Sequence, residues 1–344
     1  MITIHIIPLL VAMFLAINMG GSGTAPTFAA AYGANLVRKD LIPGLFGIFV
    51  FAGALIAGQK VIMTVGGDIL PSETVGMTMS VIVLGSVALS LFFANMLRVP
   101  QSTSQSTIFA LSGPALYLGV LQTDRLFFEI IPTWFVTPVL ALVISYGVGR
   151  YIYLPLSRKI RPLLDFLRGH RALKYFVIAT ACYVSFAIGS NNMANAAAPV
   201  LAMAVNMLDV EVGSPNFLLL MMILVFMLAP MFGLGSSLLG HRVLQTTGKD
   251  ISSFGPLGAS YISVITASIL LVASLWRGIP TSLVQMNTAA IIGLGMVKSG
   301  HLHVWRNAPL KKIFTIWIIA PMIAMLLSLL FVWLADGAGL LQTH

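Results

Sequence analysis

The sequence predicts an all-α integral membrane protein of about ten transmembrane segments, built as two inverted five-span repeats with broken helices and hairpin tips at the membrane midplane. Three observations predict it. Charged residues are scarce, apolar stretches of spanning length recur along the chain, and four sequence blocks in the first half reappear in order in the second.

Of the 344 residues, 58% are hydrophobic and only 8% charged, and the mean hydropathy is +0.97. A soluble domain carries roughly 25% charged residues to keep its surface wet. A surface with a third of that needs lipid as its solvent. Met1 to Met19 lacks a basic leader region and runs on into further apolar sequence, so it reads as a span and not as a cleaved signal. The single cysteine, Cys182, excludes an internal disulfide framework and a cysteine-built metal site. The net charge of +9 does not point to nucleic acid, because the basic residues sit in short connections between apolar segments.

Spans are read at 3–33, 41–65, 74–97, 101–121, 131–150, 174–204, 216–240, 257–276, 281–298 and 312–335. The fourth and ninth open on polar residues and are the weakest spans by hydropathy. If all ten cross, sixteen of the nineteen Lys and Arg fall on one side, including the run from Arg150 to Lys174. The other side keeps only Lys60, Arg125 and Arg277, with most of the acidic residues. The positive-inside rule then places both termini outside, in a multi-pass protein of the plasma membrane (the inner membrane of a prokaryote).

The repeat is carried by four blocks. Gly20-Gly-Ser-Gly23 corresponds to Gly189-Ser-Asn-Asn192, and Gly58-Gln-Lys60 to Gly240-His-Arg242. Pro100-Gln-Ser-Thr103 with Gln105 corresponds to Pro280-Thr-Ser-Leu283 with Gln285, and Trp134 to Pro138 corresponds to Trp317 to Pro321. The offset stays between 169 and 183 throughout. The halves are therefore 1–155 and 174–344, joined by a basic cytoplasmic loop at 156–173. Five spans is an odd number, so the second half lies inverted, a recurrent plan of secondary transporters.

Polar residues at membrane depth are costly, and their placement is the functional signal. Asn18 to Pro26 and Gly189 to Asn195 set glycines beside Ser and Asn in mid-span, which predicts a broken helix lining a cavity. Close helix packing through small residues is the competing reading. Pro100 to Thr107 and Pro280 to Gln285 each place a proline and hydroxyl residues ahead of an apolar helix. Serine or threonine there caps first-turn amides, and exposed amides plus the helix dipole attract an anion. Ordinary capping at the membrane face is the alternative. No Asp or Glu lies mid-span, which argues against a cation substrate and a carboxylate proton relay. Lys60 and Arg242 draw anions to the two mouths or simply snorkel to the interface. His241, His301 and His303 fall in connections, and no catalytic or metal-ligand constellation lies mid-span, so neither an enzyme nor a cofactor is expected.

These residues resemble the inorganic phosphate transporter family. Gly189-Ser-Asn-Asn-Met-Ala-Asn-Ala196 is similar to that family's Gly-Ala-Asn-Asp-Val-Ala-Asn-Ala signature, and Gly20 to Ala25 matches it loosely. Pro100 to Ser104 resembles the family's hairpin-tip Pro-x-Ser-Thr-Thr, with Pro280 to Val284 a weaker copy. Gly23 and Asn192 stand where the signature has aspartate, a pattern similar to the sulfate permease branch. The resemblance implies an alternating-access importer of sulfate, with Gln101, Ser102, Thr103, Ser104, Thr281 and Ser282 as donors and Asn191, Asn192, Ser22 and Gly23 as the opposing wall. Coupling to protons is expected only from charge balance, with Gln105, Gln285 and Asn195 as candidate positions. A sodium- or proton-coupled phosphate transporter is the nearest alternative, and an anion channel a further one. A homodimer is compatible with the free outer faces.

Overall fold

The structure, a computed structural model, describes residues 2–96, 101–155, 171–240, 255–300 and 310–341. Most of the 156–173 loop lies outside these residues, as do Arg98, Pro100, His241, Arg242, Lys249, His301 and His303. Among the described residues all regular structure is helical. The first half holds α1 (Ile2–Gly33), α2 (Ile42–Ala57), α3 (Gln59–Gly67), α4 (Met77–Met96), α5 (Thr103–Tyr117) and α6 (Thr123–Tyr153). The second half holds α7 (Arg171–Leu208), α8 (Pro215–Gly240), α9 (Gly255–Trp276), α10 (Leu283–Ser299) and α11 (Leu310–Gly337).

Eight of these stretches are long and apolar enough to cross a membrane. Two of the ten expected spans are shorter. The 15 residues of α5 reach only about 22 Å and the 17 of α10 about 25 Å at 1.5 Å per residue, against a hydrocarbon core of about 30 Å. Both begin at the polar segments that weakened the fourth and ninth spans. Each instead forms the second leg of a hairpin, α4–α5 and α9–α10. The expected second span also divides. The chain leaves α2 at Gly58, where a Cβ would press on the Ala54 carbonyl, and resumes as α3.

The expected breaks in α1 and α7 are not found. Both helices run unbroken through Asn18 to Pro26 and through Gly189 to Asn195. The polar side chains turn back onto their own helix: Thr24 donates to the Gly20 carbonyl and Thr27 to that of Gly23, each at 2.6 Å, and Ser190 donates to that of Ala187 at 2.8 Å. The glycines serve contact instead. A Cβ on Gly20 would overlap the Phe232 carbonyl of α8, and one on Gly189 the Val50 carbonyl of α2. In return, a Cβ on Gly53 of α2 would overlap the Phe186 carbonyl of α7, and one on Gly235 of α8 the Ile17 carbonyl of α1. Small-residue packing, the alternative reading of these segments, is what holds the two crossings.

The packing partners come in matched pairs. Helix α1 packs on α8 and α7 on α2, α1 on α4 and α7 on α9, α5 on α11 and α10 on α6. The site therefore sits where α1 and α7 meet the starts of α5 and α10. At one end of the molecule Lys60 and Arg125 converge on the α9–α10 connection. Lys60 Nζ donates to the Leu275 carbonyl at 2.7 Å, and Arg125 donates to the Arg277 carbonyl at 3.3 Å while pairing with Asp68 and Glu129. These are the three basic residues that the charge count sets together on the sparse side.

Four overlaps with backbone rather than with flexible side chains leave no cheap relaxation. Replacing Gly189 or Gly235 by Ala should cost about 1–3 kcal/mol through overpacking and lower the thermal midpoint of the protein in detergent. Gly67→Ala, where a Cβ meets nothing within 4 Å, should not lower it.

Candidate functional site

The starts of α5 and α10 are built alike. Ser102 caps α5 and accepts from the Gln105 amide at 3.3 Å; Ser282 caps α10 and accepts from the Gln285 amide at 3.3 Å. Both caps are extended, at φ −83° and −103°, which frees the next amides from any local turn. The first residues of a helix have no intrahelical acceptor for their N–H groups. In α5 these include Thr103 and Ser104, in α10 Leu283 and Val284. All four residues, with both caps, line one cavity.

That cavity is small: the space of about 360 Å³ between its walls includes the open solvent at its mouth. Its other wall is Ser22, Gly23 and Pro26 of α1 with Ile188 and Asn192 of α7, and Gln101 and Thr281 complete it. Among the described residues no charged or titratable side chain lines it. The described residues also contain no group of three or more His, Cys, Asp or Glu able to hold a metal. The available polarity is that of hydroxyls, amides and two helix ends, each helix end equivalent to roughly half a positive charge.

The sequence-predicted residues divide into two sets. Ser22, Gly23, Gln101, Ser102, Thr103, Ser104, Asn192, Thr281 and Ser282 meet at the cavity. Asn191, Asn195, Gln105 and Gln285 lie behind it and are buried. Asn191 ties the second hairpin to α7. Its Nδ2 donates to Ser274 Oγ at 2.9 Å and to the Ile279 carbonyl at 3.1 Å, and its Oδ1 accepts from the Thr281 amide at 3.1 Å. Ser104 donates to the same oxygen at 3.4 Å and accepts from Asn195 Nδ2 at 3.3 Å, so one network joins both hairpin tips to α7. Gln105 and Gln285 exchange reciprocal amide hydrogen bonds of 3.1 and 2.9 Å across the halves. Each oxygen in that pair accepts one donor and keeps a second lone pair.

Gln101 differs from expectation. Its Nε2 is committed to Ser90 Oγ at 2.8 Å and to Ser106 Oγ, so it anchors the tip and does not present donors to the cavity. Its oxygen is buried without a donor, as are Asn192 Oδ1 and Asn195 Oδ1; Thr281 Oγ1 is likewise buried without a partner. Such atoms in a native fold call for an explanation, a bound ligand among the candidates. Sequence reasoning missed the role of Trp134, whose indole donates to the Pro280 carbonyl at 2.8 Å and stacks on Phe109. The repeated Trp-to-Pro block was its only signal. Lys60, read as drawing anions to a mouth or snorkelling to the interface, donates to a carbonyl at the carboxyl end of α9.

The fold and site define an all-helical protein of the membrane-spanning class with a cavity lined by hydroxyls and amides. The profile of the phosphate transporter family matches residues 19–328, and the chain belongs to that family. Over 325 residues it is 31% identical to sulfate permease CysP of Bacillus subtilis, covering 94% of this chain and 86% of that one. Its fold is shared with a solved sodium-dependent phosphate transporter at a TM-score of 0.81 and 22% identity, over 97% of this chain and 99% of the other.

The hydrogen-bond census separates two neighbouring asparagines. Asn191→Ala strands the Thr281 amide and the Ile279 carbonyl, at about 1–3 kcal/mol for groups left unsatisfied, and should lower the thermal midpoint. Asn192 makes no hydrogen bond, so Asn192→Ala should leave the midpoint within a degree or two of the parent (~0.5 kcal/mol or less).

Proposed function

We propose that the chain is an alternating-access permease that carries sulfate into the cytoplasm, with the anion held at the cavity between the α5 and α10 starts. One observation carries the reading: first-turn residues of two helices, one from each half, line a single cavity with no charged side chain among its described lining residues. Sulfate is an acceptor at every oxygen and suits a site made of N–H and O–H donors. Ser102 and Ser282 accept from backbone amides through their oxygens, which leaves both hydroxyl protons to give. Two helix ends together supply roughly one positive charge, enough to hold a divalent anion while allowing its release. The sulfate permease relative supports the same anion.

In this reading the protein has ten segments in two inverted five-span repeats, its termini outside the cell. The paired packing and the matched glycine contacts favour that arrangement. Moving a divalent anion against 100 mV, negative inside, costs about 4.6 kcal/mol. At least two cations must accompany each sulfate for uptake to proceed without outward-to-inward concentration bias. Among the three positions named for coupling, Gln105, Gln285 and Asn195, it is Asn195 whose side-chain oxygen has no donor among the described residues.

Phosphate is the second reading, and Gln101 favours it. A fixed acceptor at the cavity wall suits an anion that still carries a proton, as hydrogenphosphate does. Uptake of labelled sulfate into proteoliposomes, with phosphate as competitor and with sodium or a pH gradient imposed in turn, separates the two. Saturable uptake insensitive to phosphate is expected; uptake abolished by phosphate would move the assignment to phosphate, and flux without saturation would move it to a channel. Ser102→Ala with Ser282→Ala should lower sulfate affinity about a hundredfold or more, at about 1.5–3 kcal/mol for each of the two lost hydrogen bonds to a charged group. Asn192→Asp places a negative charge in the cavity and should abolish sulfate binding at pH 7 while the protein remains folded.

A further inference from the structure

A second cavity, also small and open to solvent on one side, adjoins the first and shares Pro26 with it. It lies between α1, α9 and α10, and its polar lining is Thr27, Ser263 and Asn287. Asn287 makes no hydrogen bond, and its oxygen is buried without a donor. An amide left without partners inside a membrane protein is costly unless water or a ligand meets it.

The two halves differ at this point. Counting by the repeat offsets, Pro26, Ala30, Ser263, Asn287 and Ile291 correspond to Asn195, Pro199, Val83, Thr107 and Leu111. Each of the first five is half-buried, and each of the second five is fully buried. A hydrogen bond also crosses the second interface: Ser80 of α4 donates to the Pro199 carbonyl of α7 at 2.8 Å. The same interface is thus open in one half and packed in the other. From this cavity α1 leads toward Arg38 and Lys39, and α10 leads toward Lys298, the face that carries most of the basic residues.

We infer that the α1–α9–α10 cavity is the water-filled passage between the central site and the basic face, with Asn287 its polar contact for the anion. The structure is then the state open to that face, and the tight α7–α4–α5 interface is the closed counterpart that opens in the opposite state. A passage lined by one amide and two hydroxyls solvates an anion in transit without trapping it, as a charged side chain would. The identity of the cargo rests on the permease reading above, but the passage itself does not.

The test uses full-length protein with Cys182→Ala, oriented in proteoliposomes, carrying Asn287→Cys, Ser263→Cys or Thr107→Cys. Labelling by a membrane-impermeant, water-borne thiol reagent is followed from each face. Asn287→Cys and Ser263→Cys should react from the basic face and not from the other, and Thr107→Cys from neither. Failure of both open-side cysteines to react, as in a lipid-filled groove, or reaction only from the opposite face, would overturn the inference. Equilibrium binding of labelled sulfate to the same proteins is read separately. Loss of sulfate binding in the parent would sink the permease reading while the labelling pattern still decides the passage. Asn287→Leu should slow sulfate flux at least several-fold with equilibrium binding retained; flux at the parental rate would also count against the passage.

Discussion

The structure depends on four glycines that let helix backbones touch. Gly20 and Gly189 sit on the long helices α1 and α7, Gly53 and Gly235 on the helices they cross, and each faces a main-chain carbonyl where a methyl group would not fit. Lipid tails are as apolar as leucine, so burial of apolar surface does little to bring these helices together. Close approach does, through dispersion and short Cα–H contacts to carbonyl oxygen. The consequence reaches the site directly. Asn191 and Asn192 follow Gly189 by two and three residues, and Ser22 and Gly23 follow Gly20 at the same spacing. Fixing the glycine contact fixes the rotation and depth of the wall residues. The wall is rigid because its neighbours are pinned to backbone.

Against that wall the two hairpins are held by hydrogen bonds rather than by apolar packing alone. Carbonyls of the second tip at Leu275, Arg277, Ile279 and Pro280 accept from Lys60, Arg125, Asn191 and Trp134 in turn. Side chains from α3, α6 and α7 therefore converge on one short connection. The Gln105–Gln285 pair joins the first turns of α5 and α10 directly. A buried amide pair is worth little as net stabilisation but costs much if half of it is lost. Such a pair is suited to fixing register between two elements, and here it sets the separation of the two helix ends.

Composition made the membrane class legible in the sequence, because it depends on residue type and on the length of apolar runs. Lys60 and Arg125, which the charge count sets on one side with Arg277, both reach carbonyls at the α9–α10 connection. The starts of α5 and α10 were legible because serine before an apolar helix has one economical use. What escaped was whether glycine breaks a helix or packs it. Gly20 and Gly189 have the same sequence neighbourhood under either outcome, and the deciding partner, a carbonyl on α8 or α2, lies far along the chain. Gln101 escaped for a similar reason. Its amide is captured by Ser90, eleven residues away across a hairpin, and no local pattern announces that.

Gln101 and Asn192 bear differently on which oxyanion the cavity accepts. Ser90 gives its own proton to the Ala320 carbonyl at 3.2 Å, so toward Gln101 it can only accept. Gln101 must therefore offer Nε2 to Ser90, and its oxygen stays as an acceptor beside the cavity. Asn192 has no partner on either side of its amide and can turn to present N–H or C=O. A carboxylate in that place has no such choice, since an ionised acid only accepts. A site with aspartate there requires a ligand with a proton to share or a cation between them. With asparagine the same wall receives a fully deprotonated anion by rotating one side chain, at no cost in broken hydrogen bonds. The single fixed acceptor of Gln101 remains, and under the permease reading proposed above it is the group beside the cavity that a fully deprotonated anion meets least favourably and a protonated one most favourably.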